Sequence, residues 1–548
     1  MNSSTFFDKS KEIANDYIQS IVFLDDKAYR DSDKESTDHD LDILKISKAF
    51  AKENKICAAY RPESEEDIND FKIIANKADV VVLDWQIEFP QVVEQGSEEQ
   101  DEPDEPRGAY TKEIIQSVIF DNDKPKDSLK LILVYTGDYT YLESITEDIY
   151  KNVFKSSQDY NYDSENHIIQ SHQIKVVVRS KSVEIAFDAN KDKYEKYMVH
   201  YEKLPAFVLT EFTLMTSGLL SNFALLSLST LRKNSTKILS LFSKELDNAY
   251  LSHKSLLPSQ EDAEDLLIEL FGDTISDLLL YNKSNEELRN LINDWIEDNV
   301  NEENKELLKK DGTKYNPTKT FNRTRQILID LLNSTNKDVE KRYVDVFNSK
   351  TGVSKSNLND YFKYISLNNT LLFLNNSEES KKSEIDQKFS ILTHHKSLFI
   401  PNNTIPKLTL GTIIRSTNNG NNYYICIQQK CDSVRISKDD ERKFLFIPLV
   451  ISDNKFDILT PDGIKLKKVK DSFSIRTIKF VCKDDKGVIK AELDEKGSFI
   501  FKQKYDDENF EWILDLKDLH SQRIIIEYTS QLSRVGLDES EWHRRFLS

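Results

Sequence analysis

Acidic and hydroxyl side chains follow three strand-like runs of this sequence, at the point where each run ends. The runs and the residues that follow them are 21–24 with Asp25 and Asp26, 78–83 with Asp84, and 131–135 with Thr136. Short, continuous apolar runs rich in β-branched residues are typical of buried parallel strands. The carboxyl ends of parallel strands share one sheet edge, where open α/β sheets place their chemistry. We therefore expect three carboxylates and one hydroxyl to converge at that edge.

The order of these residues resembles the receiver domain of two-component signalling, with the resemblance covering residues 1–203. In that family an acidic pair and the acceptor aspartate bind Mg²⁺, and the acceptor takes a phosphoryl group from a phosphohistidine. A threonine or serine and a lysine contact the phosphoryl oxygens. The resemblance therefore implies Mg²⁺ at Asp25, Asp26 and Asp84, phosphoryl acceptance by Asp84, and phosphoryl contacts from Thr136 and Lys181.

Two further positions follow from the same resemblance. Lys181 ends the apolar run that begins at Val176, but Ser182 stands where the family usually has a proline. Gln86, two residues after Asp84, occupies a position from which receiver side chains influence the access of water. We expect Gln86 to affect the lifetime of the phosphorylated state.

The chemistry of Mg²⁺ supports this interpretation independently. Mg²⁺ prefers oxygen ligands and keeps several waters, so two or three carboxylates suffice to hold it. Clustered carboxylates repel one another, and a divalent ion relieves that repulsion. The alternative is that each aspartate merely caps the helix after its strand. An ordered set of Asp-Asp, Asp and Thr favours the receiver.

Three regions of different composition follow one another along the chain. Residues 1–203 alternate strands and helices, which predicts a flavodoxin-like, five-stranded doubly wound parallel sheet. Residues 204–395 show long helical periodicity and predict an all-α region with a broad apolar band, which suits either an ordinary core or a homodimer surface. Residues 396–548 change to period two with turn signals, which predicts a β-rich barrel or sandwich. An acidic, proline-containing insertion falls at about 94–107.

Individual elements are predicted as follows. Strands are expected near 20–25, 55–60, 79–84, 129–136 and 174–179, and helices near 40–54, 64–77, 110–120, 140–154 and 190–203. Helices are expected over 204–257, from 266, and near 284–299, 319–333, 337–348 and 376–391. In the C-terminal region we expect strands at 423–427, 444–449 and 523–528 and a final helix at 539–545.

Composition excludes several classes of protein. The 548 residues carry a net charge of −19, and residues 401–548 are nearly neutral. Neither part has the basic stripe of a nucleic-acid binder, so a DNA-binding output is disfavoured. No apolar run approaches membrane-spanning length, and the N-terminus lacks signal-peptide features. We expect a cytoplasmic protein without a disulfide framework, since its four cysteines are scattered.

Other candidate sites are weaker. Cys426 and Cys431 are spaced too widely for a usual zinc site. The adjacent His394 and His395 point in different directions in a helix or strand, which disfavours joint ligation. His253 suits a helix end better than a phosphotransfer bundle. No second catalytic constellation stands out, so we expect no enzymatic activity beyond phosphoryl acceptance and autodephosphorylation.

A wider resemblance covers much of the chain. The stretches 218–226, 230–234, 410–413 and 534–537 resemble the large receiver-domain proteins of bacterial anti-phage operons, particularly the receiver component of Detocs. That family implies a sensor histidine kinase as partner and a toxic effector from the same operon. The receiver component would act as a sink that drains phosphoryl groups from the kinase.

Two other functions remain open from the sequence. The chain could be a regulator that is switched by phosphorylation and acts through its C-terminal β region. It could also be a pseudo-receiver that serves only as a scaffold. A sink and a switch need the same acceptor, so the residues alone do not separate them.

Overall fold

The structure of the chain is a computed structural model that divides into two compact units. One unit comprises Met1–Val300 with Leu328–Asn333, and the other comprises Asn301–Ile327 with Ser334–Ser548. The structure describes residues 5–29, 41–89, 107–121, 124–125, 128–181, 194–257, 262–282, 284–396, 404–452, 456–469, 474–484, 487–503 and 508–532. The domain limits at 203 and 395 stay predictions.

The first unit is built on a mostly parallel sheet. Its strands are β1 (Ser20–Leu24), β2 (Ala28–Tyr29), β3 (Leu41–Asp42), β4 (Ile56–Tyr60), β5 (Val80–Leu83), β6 (Phe120–Asp121), β7 (Lys124–Pro125), β8 (Lys130–Thr136), β9 (Asn161–Asp163), β10 (Ile168–Gln170), β11 (Ile174–Lys181) and β12 (Met198–Val199). The main sheet has the order β4-β1-β5-β8-β11-β10-β9, with β12 also pairing with β11. Strands β4, β1, β5, β8 and β11 are parallel to one another, as the apolar runs predicted.

The first unit also contains helices, and several of them cover both faces of this sheet. They are α1 (Phe6–Tyr17), α2 (Ile43–Lys52), α3 (Glu65–Lys77), α4 (Ala109–Ile119), α5 (Leu142–Asn152), α6 (Leu204–Thr216), α7 (Leu219–Leu241), α8 (Asp247–Leu256), α9 (Asp262–Tyr281) and α10 (Ser284–Asn299). Short 3₁₀ turns lie at Tyr201–Lys203 and Lys244–Leu246. One apolar core holds α3, α4 and α5 against the sheet, and the other holds α1, α2, α6 and the start of α7. The receiver-like α/β sheet is confirmed.

The sheet is wider than the five predicted strands. The insertion expected between Lys155 and Gln173 forms the antiparallel strands β9 and β10, which extend the sheet beyond β11. Helix α6 also belongs to the α/β layer, since Leu204, Val208 and Phe212 pack in the same core as the strands. Helix α1 was not predicted.

The second unit combines helices with an antiparallel sheet. Its helices are α11 (Arg325–Asn333, shared between the units), α12 (Val339–Thr351), α13 (Lys355–Ile365), α14 (Thr370–Phe373), α15 (Lys382–His394) and α16 (Asp518–Leu532), with 3₁₀ turns at Asn376–Lys381 and Lys430–Asp432. A hairpin is formed by β13 (Glu303–Glu306) and β14 (Thr320–Arg323). The larger strands are β15 (Thr412–Ser416), β16 (Tyr423–Cys426), β17 (Glu441–Ile451), β18 (Ile458–Leu459), β19 (Lys465–Lys468), β20 (Arg476–Val481), β21 (Glu492–Leu493), β22 (Phe499–Lys502) and β23 (Asn509–Asp515).

The nine strands from β15 to β23 form one antiparallel sheet. Their order is β18-β19-β17-β16-β15-β23-β22-β21, with β20 pairing with β17. The predicted order of helices followed by antiparallel β structure is therefore confirmed. That this β structure forms a barrel or a sandwich stays a prediction.

Three predicted elements were wrong. Residues 523–528 lie in α16 rather than in a strand, because Ile524 and Tyr528 are one helical turn apart and both pack into the core of the sheet. The helix expected at 190–203 was wrong over most of its described part, where only 194–195 are helical and β12 and a 3₁₀ turn follow. The expected helix at 319–333 begins only after strand β14, where the Thr324 hydroxyl accepts a hydrogen bond from the Ile327 N–H and caps α11.

Two other predictions lie outside the described residues, namely most of the acidic insertion at 94–107 and the helix at 539–545. None of the helices in the described ranges combines the length and apolar character that crossing a bilayer requires.

Candidate functional site

Parallel pairing brings the ends of four strands to one edge of the main sheet. Leu24 of β1 lies opposite Leu83 of β5, and Leu83 lies opposite Val134 of β8. Ser180 of β11 lies opposite Thr136, the last residue of β8. The residues that follow or end these strands therefore lie side by side, as the order of the runs in the sequence predicted.

Three carboxylates meet at this edge. Asp25, Asp26 and Asp84 are all buried, and each offers an oxygen that lies within 4.8 Å of the others. The backbone holds them in place, since the Asp84 N–H donates to the Leu24 carbonyl and the Asp25 N–H donates to the Tyr60 carbonyl. The Asp84 carboxylate also accepts a hydrogen bond of 2.9 Å from the Trp85 N–H.

The lysine at the end of β11 reaches these carboxylates. The Lys181 ammonium donates to Asp25 Oδ2 at 2.6 Å and lies 3.5 Å from Asp84 Oδ2. Only 1% of the Lys181 side chain is exposed, so these contacts form away from water. The serine that follows Lys181 in place of the usual proline lies outside the described residues, yet the lysine still points into the acidic cluster.

Burial and mutual repulsion shift the proton affinities of these groups. Burial raises the pKa of Asp84 to about 8, an effect that Lys181 opposes and the neighbouring Asp25 and Asp26 reinforce. Burial, together with the charge of Asp25, also raises the pKa of Asp26. Burial alone would lower the pKa of Lys181, but Asp84 and Asp25 outweigh it and hold the pKa above its ordinary value.

One carboxylate oxygen of the cluster has no hydrogen-bond partner. Asp26 Oδ1 is buried without a donor, whereas Asp26 Oδ2 accepts from the Glu88 N–H at 3.3 Å. A buried anionic oxygen without a donor is costly, and a cation beside it would remove that cost. The three carboxylates outnumber the single ammonium that contacts them, so the donor set fits a divalent, oxygen-preferring ion. Receiver domains bind Mg²⁺ in an acidic pocket of this kind.

Thr136 and Gln86 lie beside the cluster in different ways. Thr136 is buried, and its hydroxyl accepts a hydrogen bond from the Asp138 N–H at 3.2 Å. The half-buried Gln86 donates from its side-chain amide to the Glu88 carboxylate, so the same short segment orients Gln86 and, through its backbone, Asp26.

The sequence analysis missed two residues that support Asp84. The Thr111 hydroxyl contacts the Asp84 carbonyl at 2.6 Å and the Trp85 carbonyl at 3.0 Å, which ties α4 to the segment that carries the carboxylate. Gly108 precedes α4 with φ of +76°, and a Cβ there would lie 2.3 Å from the Trp85 ring. Only glycine adopts this positive φ without strain and also leaves room for the Trp85 ring. The sequence signal for Gly108 was its position just before the helix predicted near 110–120.

The three histidines that the sequence analysis disfavoured as ligands or phosphoryl carriers lie away from the acidic cluster in the chain. His394 and His395 both contact the backbone of Leu459, and burial lowers the pKa of each. His253 lies exposed in the last turn of α8. Among the described residues, Asp25, Asp26 and Asp84 are the one group of histidine, cysteine or carboxylate side chains that could hold a metal ion.

Comparison with known proteins identifies the domain that carries this edge. A family model described as the response receiver domain matches residues 17–185. No curated protein and no solved structure matches the chain. The matched range starts just before β1 and ends just after β11, so it contains all four strand ends. Residues 17–185 are therefore similar to the response receiver domain, and this likeness points to a phosphoacceptor role in a two-component-like pathway.

Proposed function

We propose that the chain takes a phosphoryl group from a sensor histidine kinase onto Asp84. The observation that carries this proposal is the buried cluster of Asp25, Asp26 and Asp84 with Lys181 at the carboxyl edge of the receiver sheet. Asp84 is the member that follows β5, the strand between β1 and β8. A donor that approaches the middle of this edge would meet Asp84 with the other groups on both sides.

In the proposed step, an ionised Asp84 oxygen attacks the phosphorus of a phosphohistidine. A phosphorus–oxygen bond forms, the phosphorus–nitrogen bond breaks, and the imidazole leaves with the electron pair of that bond and takes up a proton. Asp84 must be ionised to attack, and its pKa of about 8 disfavours that form at neutral pH. Lys181, 3.5 Å from Asp84 Oδ2, favours the ionised form and would then contact a phosphoryl oxygen.

Asp25, Asp26 and Asp84 would hold Mg²⁺, as the partnerless Asp26 Oδ1 suggests. The ion, when bound, supplies positive charge against the phosphoryl oxygens and against the three carboxylates. Asp26 would contribute a ligand without giving up a hydrogen bond. Asp25 would orient Lys181, since it accepts the shorter of that lysine's two contacts.

Thr136 and Gln86 have the remaining proposed roles. Thr136, at the end of β8, would donate its hydroxyl hydrogen to a phosphoryl oxygen while still accepting from the Asp138 N–H. Gln86, held by Glu88, would limit the access of water to the acyl phosphate and so set the rate of autodephosphorylation.

We place this acceptor in a two-component-like anti-phage pathway, as a phosphate sink that restrains a toxic effector. The resemblance of the helical and C-terminal stretches to Detocs receiver components supports this placement. A sink returns to its initial state when water hydrolyses the acyl phosphate, and it needs no catalytic output domain.

A switch that acts through the C-terminal β region is the second candidate, and one contact within the first unit bears on how such a switch would begin. Strand β11 carries Lys181 at its end and Lys175 near its start, and the Lys175 ammonium lies 2.6 Å from Glu211 of α6. Both side chains are largely buried. A change at Lys181 could therefore alter how β11 packs against α6.

Radiolabel transfer to the full-length chain tests the proposal. The donors are acetyl phosphate and a phosphorylated histidine kinase from the same operon, with and without Mg²⁺. We expect acid-stable but alkali-labile label in wild type and none in Asp84→Ala. Asp163→Ala, in a carboxylate on β9 away from the edge, serves as the control. Equal label in Asp84→Ala would refute the acceptor, and absence of label and of any Mg²⁺-dependent change in Trp85 fluorescence would favour a scaffold.

A further inference from the structure

Helices α7 to α9 expose an unusual amount of apolar surface. A third of the exposed large hydrophobic side chains among the described residues fall between Leu239 and Tyr281. The most exposed are Leu239 (71%), Leu251 (58%), Leu256 (81%), Ile268 (70%), Leu280 (62%) and Tyr281 (84%). We call this set the arm surface. The sequence left open whether the apolar band of this region forms a core, and here much of it faces outwards.

These helices form one connected layer. The rings of Phe242, after α7, and Phe271, in α9, lie 5.6 Å apart. Tyr250 of α8 donates to the carboxylate of Glu264 on α9, and Lys254 pairs with the same carboxylate. The arm surface therefore belongs to a single structure rather than to three separate segments.

This layer has little core of its own. None of the residues of α8 is buried, and Ala263 is the buried residue among the described side chains of α9. Ile268, Leu280 and Tyr281 point in different directions around α9, since a helix turns about 100° per residue. A helix that is apolar on most sides is normally enclosed by other helices.

The exposed area matches one side of a stable protein interface. With about 100 Å² for each leucine-sized side chain, the arm surface and its apolar neighbours present on the order of 1,000 Å². The largest apolar patch of a typical monomer is roughly 300–600 Å². A standard interface takes roughly 800 Å² from each partner. Apolar area of this size calls for a partner that is present whenever the chain is folded.

We propose that a second copy of this chain covers the arm surface, with α8 and α9 of the two copies packed into a helical bundle. A second copy is always available at the concentration of the chain itself. Its twofold interface requires a surface that is complementary to itself. The exposed Lys237 and Lys244 of the α7 end and the turn after it, with the exposed Asp273 and Asp277 of α9, supply charges of both signs. This inference does not depend on phosphorylation of Asp84.

The mass of the full-length, unphosphorylated chain in solution tests this proposal. Size-exclusion chromatography coupled to light scattering, at roughly 10 µM chain, should give twice the mass of one chain. Leu239→Glu combined with Ile268→Glu should weaken self-association on the order of 100-fold and give one chain at that concentration. Leu493→Glu combined with Leu519→Glu changes two equally exposed leucines of the other unit and should remain a dimer.

Hydrogen exchange provides a measurement that does not depend on the variants. Amides of α8 and α9 in wild type should exchange more slowly at high protein concentration than after 100-fold dilution, whereas amides of β5 should not change. A monomeric wild type, a double variant that stays dimeric, or loss of the dimer in the Leu493/Leu519 control would each overturn the proposal. So would a monomer whose α8 and α9 become protected only on adding the histidine kinase.

Discussion

Buried charges are arranged differently in the two units. At the edge of the receiver sheet, three carboxylates face one ammonium, and one carboxylate oxygen has no donor. In the second unit, the fully buried Arg323 donates to the carbonyls of Leu372, Leu374 and Asn301 and to the Asn375 side chain. Lys305 likewise contacts Glu379 and the Leu374 carbonyl. The second arrangement uses charge to hold chain segments together, whereas the first leaves negative charge that a bound cation would offset.

Removing the buried Arg323 guanidinium from the second unit should lower the free energy of unfolding more than any other change considered. Arg323→Met leaves three carbonyls without their donor, so we expect the β13–β14 hairpin to lose about 3–5 kcal/mol. Hydrogen exchange of the β13 and β14 amides measures this, and Mg²⁺ should not restore it. The control Arg415→Met, in a half-buried arginine paired with Glu511, should cost under about 1 kcal/mol. Similar losses in both variants would mean that burial does not distinguish the two arginines.

Removing the Lys181 ammonium from the receiver edge should lower the free energy of unfolding by a smaller amount, and Mg²⁺ should largely reverse the loss. Lys181→Met leaves Asp25 and Asp84 without their ammonium, but a carboxylate can take up a proton or the cluster can bind Mg²⁺. We expect a loss of about 2 kcal/mol in the exchange of β1 and β5 amides, largely restored by Mg²⁺. If Mg²⁺ restores nothing, or restores Arg323→Met equally, the contrast between the two units fails.

Mg²⁺ should stabilise the wild-type receiver by a smaller amount. At a concentration about ten times its dissociation constant, the gain is about 1.4 kcal/mol. Asp26→Asn, which alters the carboxylate that has a partnerless oxygen, should abolish most of this gain. Asp163→Asn, away from the edge, should keep it. Thermal unfolding followed by Trp85 fluorescence provides the measurement, with Trp85→Phe to assign the signal. A full gain in Asp26→Asn would show that the ion binds elsewhere.

Without metal, we also expect the stability of the first unit to depend on pH. In the folded state the pKa of Asp84 is about 8 against an ordinary value of 3.8, so the folded chain holds a proton there that the unfolded chain releases. The free energy of unfolding should therefore fall as pH rises from about 4 to 8. Asp84→Asn should flatten this slope, because the amide has no proton to lose over this pH range. An unchanged slope would place the titrating group elsewhere.

The sequence predicted the receiver sheet more accurately than the rest of the chain. Its inner parallel strands are buried on both faces, so each reads as a continuous apolar run, and the observed limits fall within two residues of the predictions. The same reasoning failed at 523–528, where the run Ile524-Ile525-Ile526 has high strand propensity. The packing of Ile524 and Tyr528 against the antiparallel sheet favours a helix there instead. Hairpin β13–β14 was missed because its strands carry mostly polar residues.

The residues at the strand ends follow from the amino-acid sequence alone, because chain order and parallel pairing together establish which carboxylates share an edge. How Lys181 divides its contacts between Asp25 and Asp84 depends on tertiary packing, as does the Asp26 oxygen that has no donor. Packing also leaves much of the apolar band of α7 to α9 facing outwards. These outcomes depend on distances between segments far apart in the chain, and local periodicity holds no information about such distances.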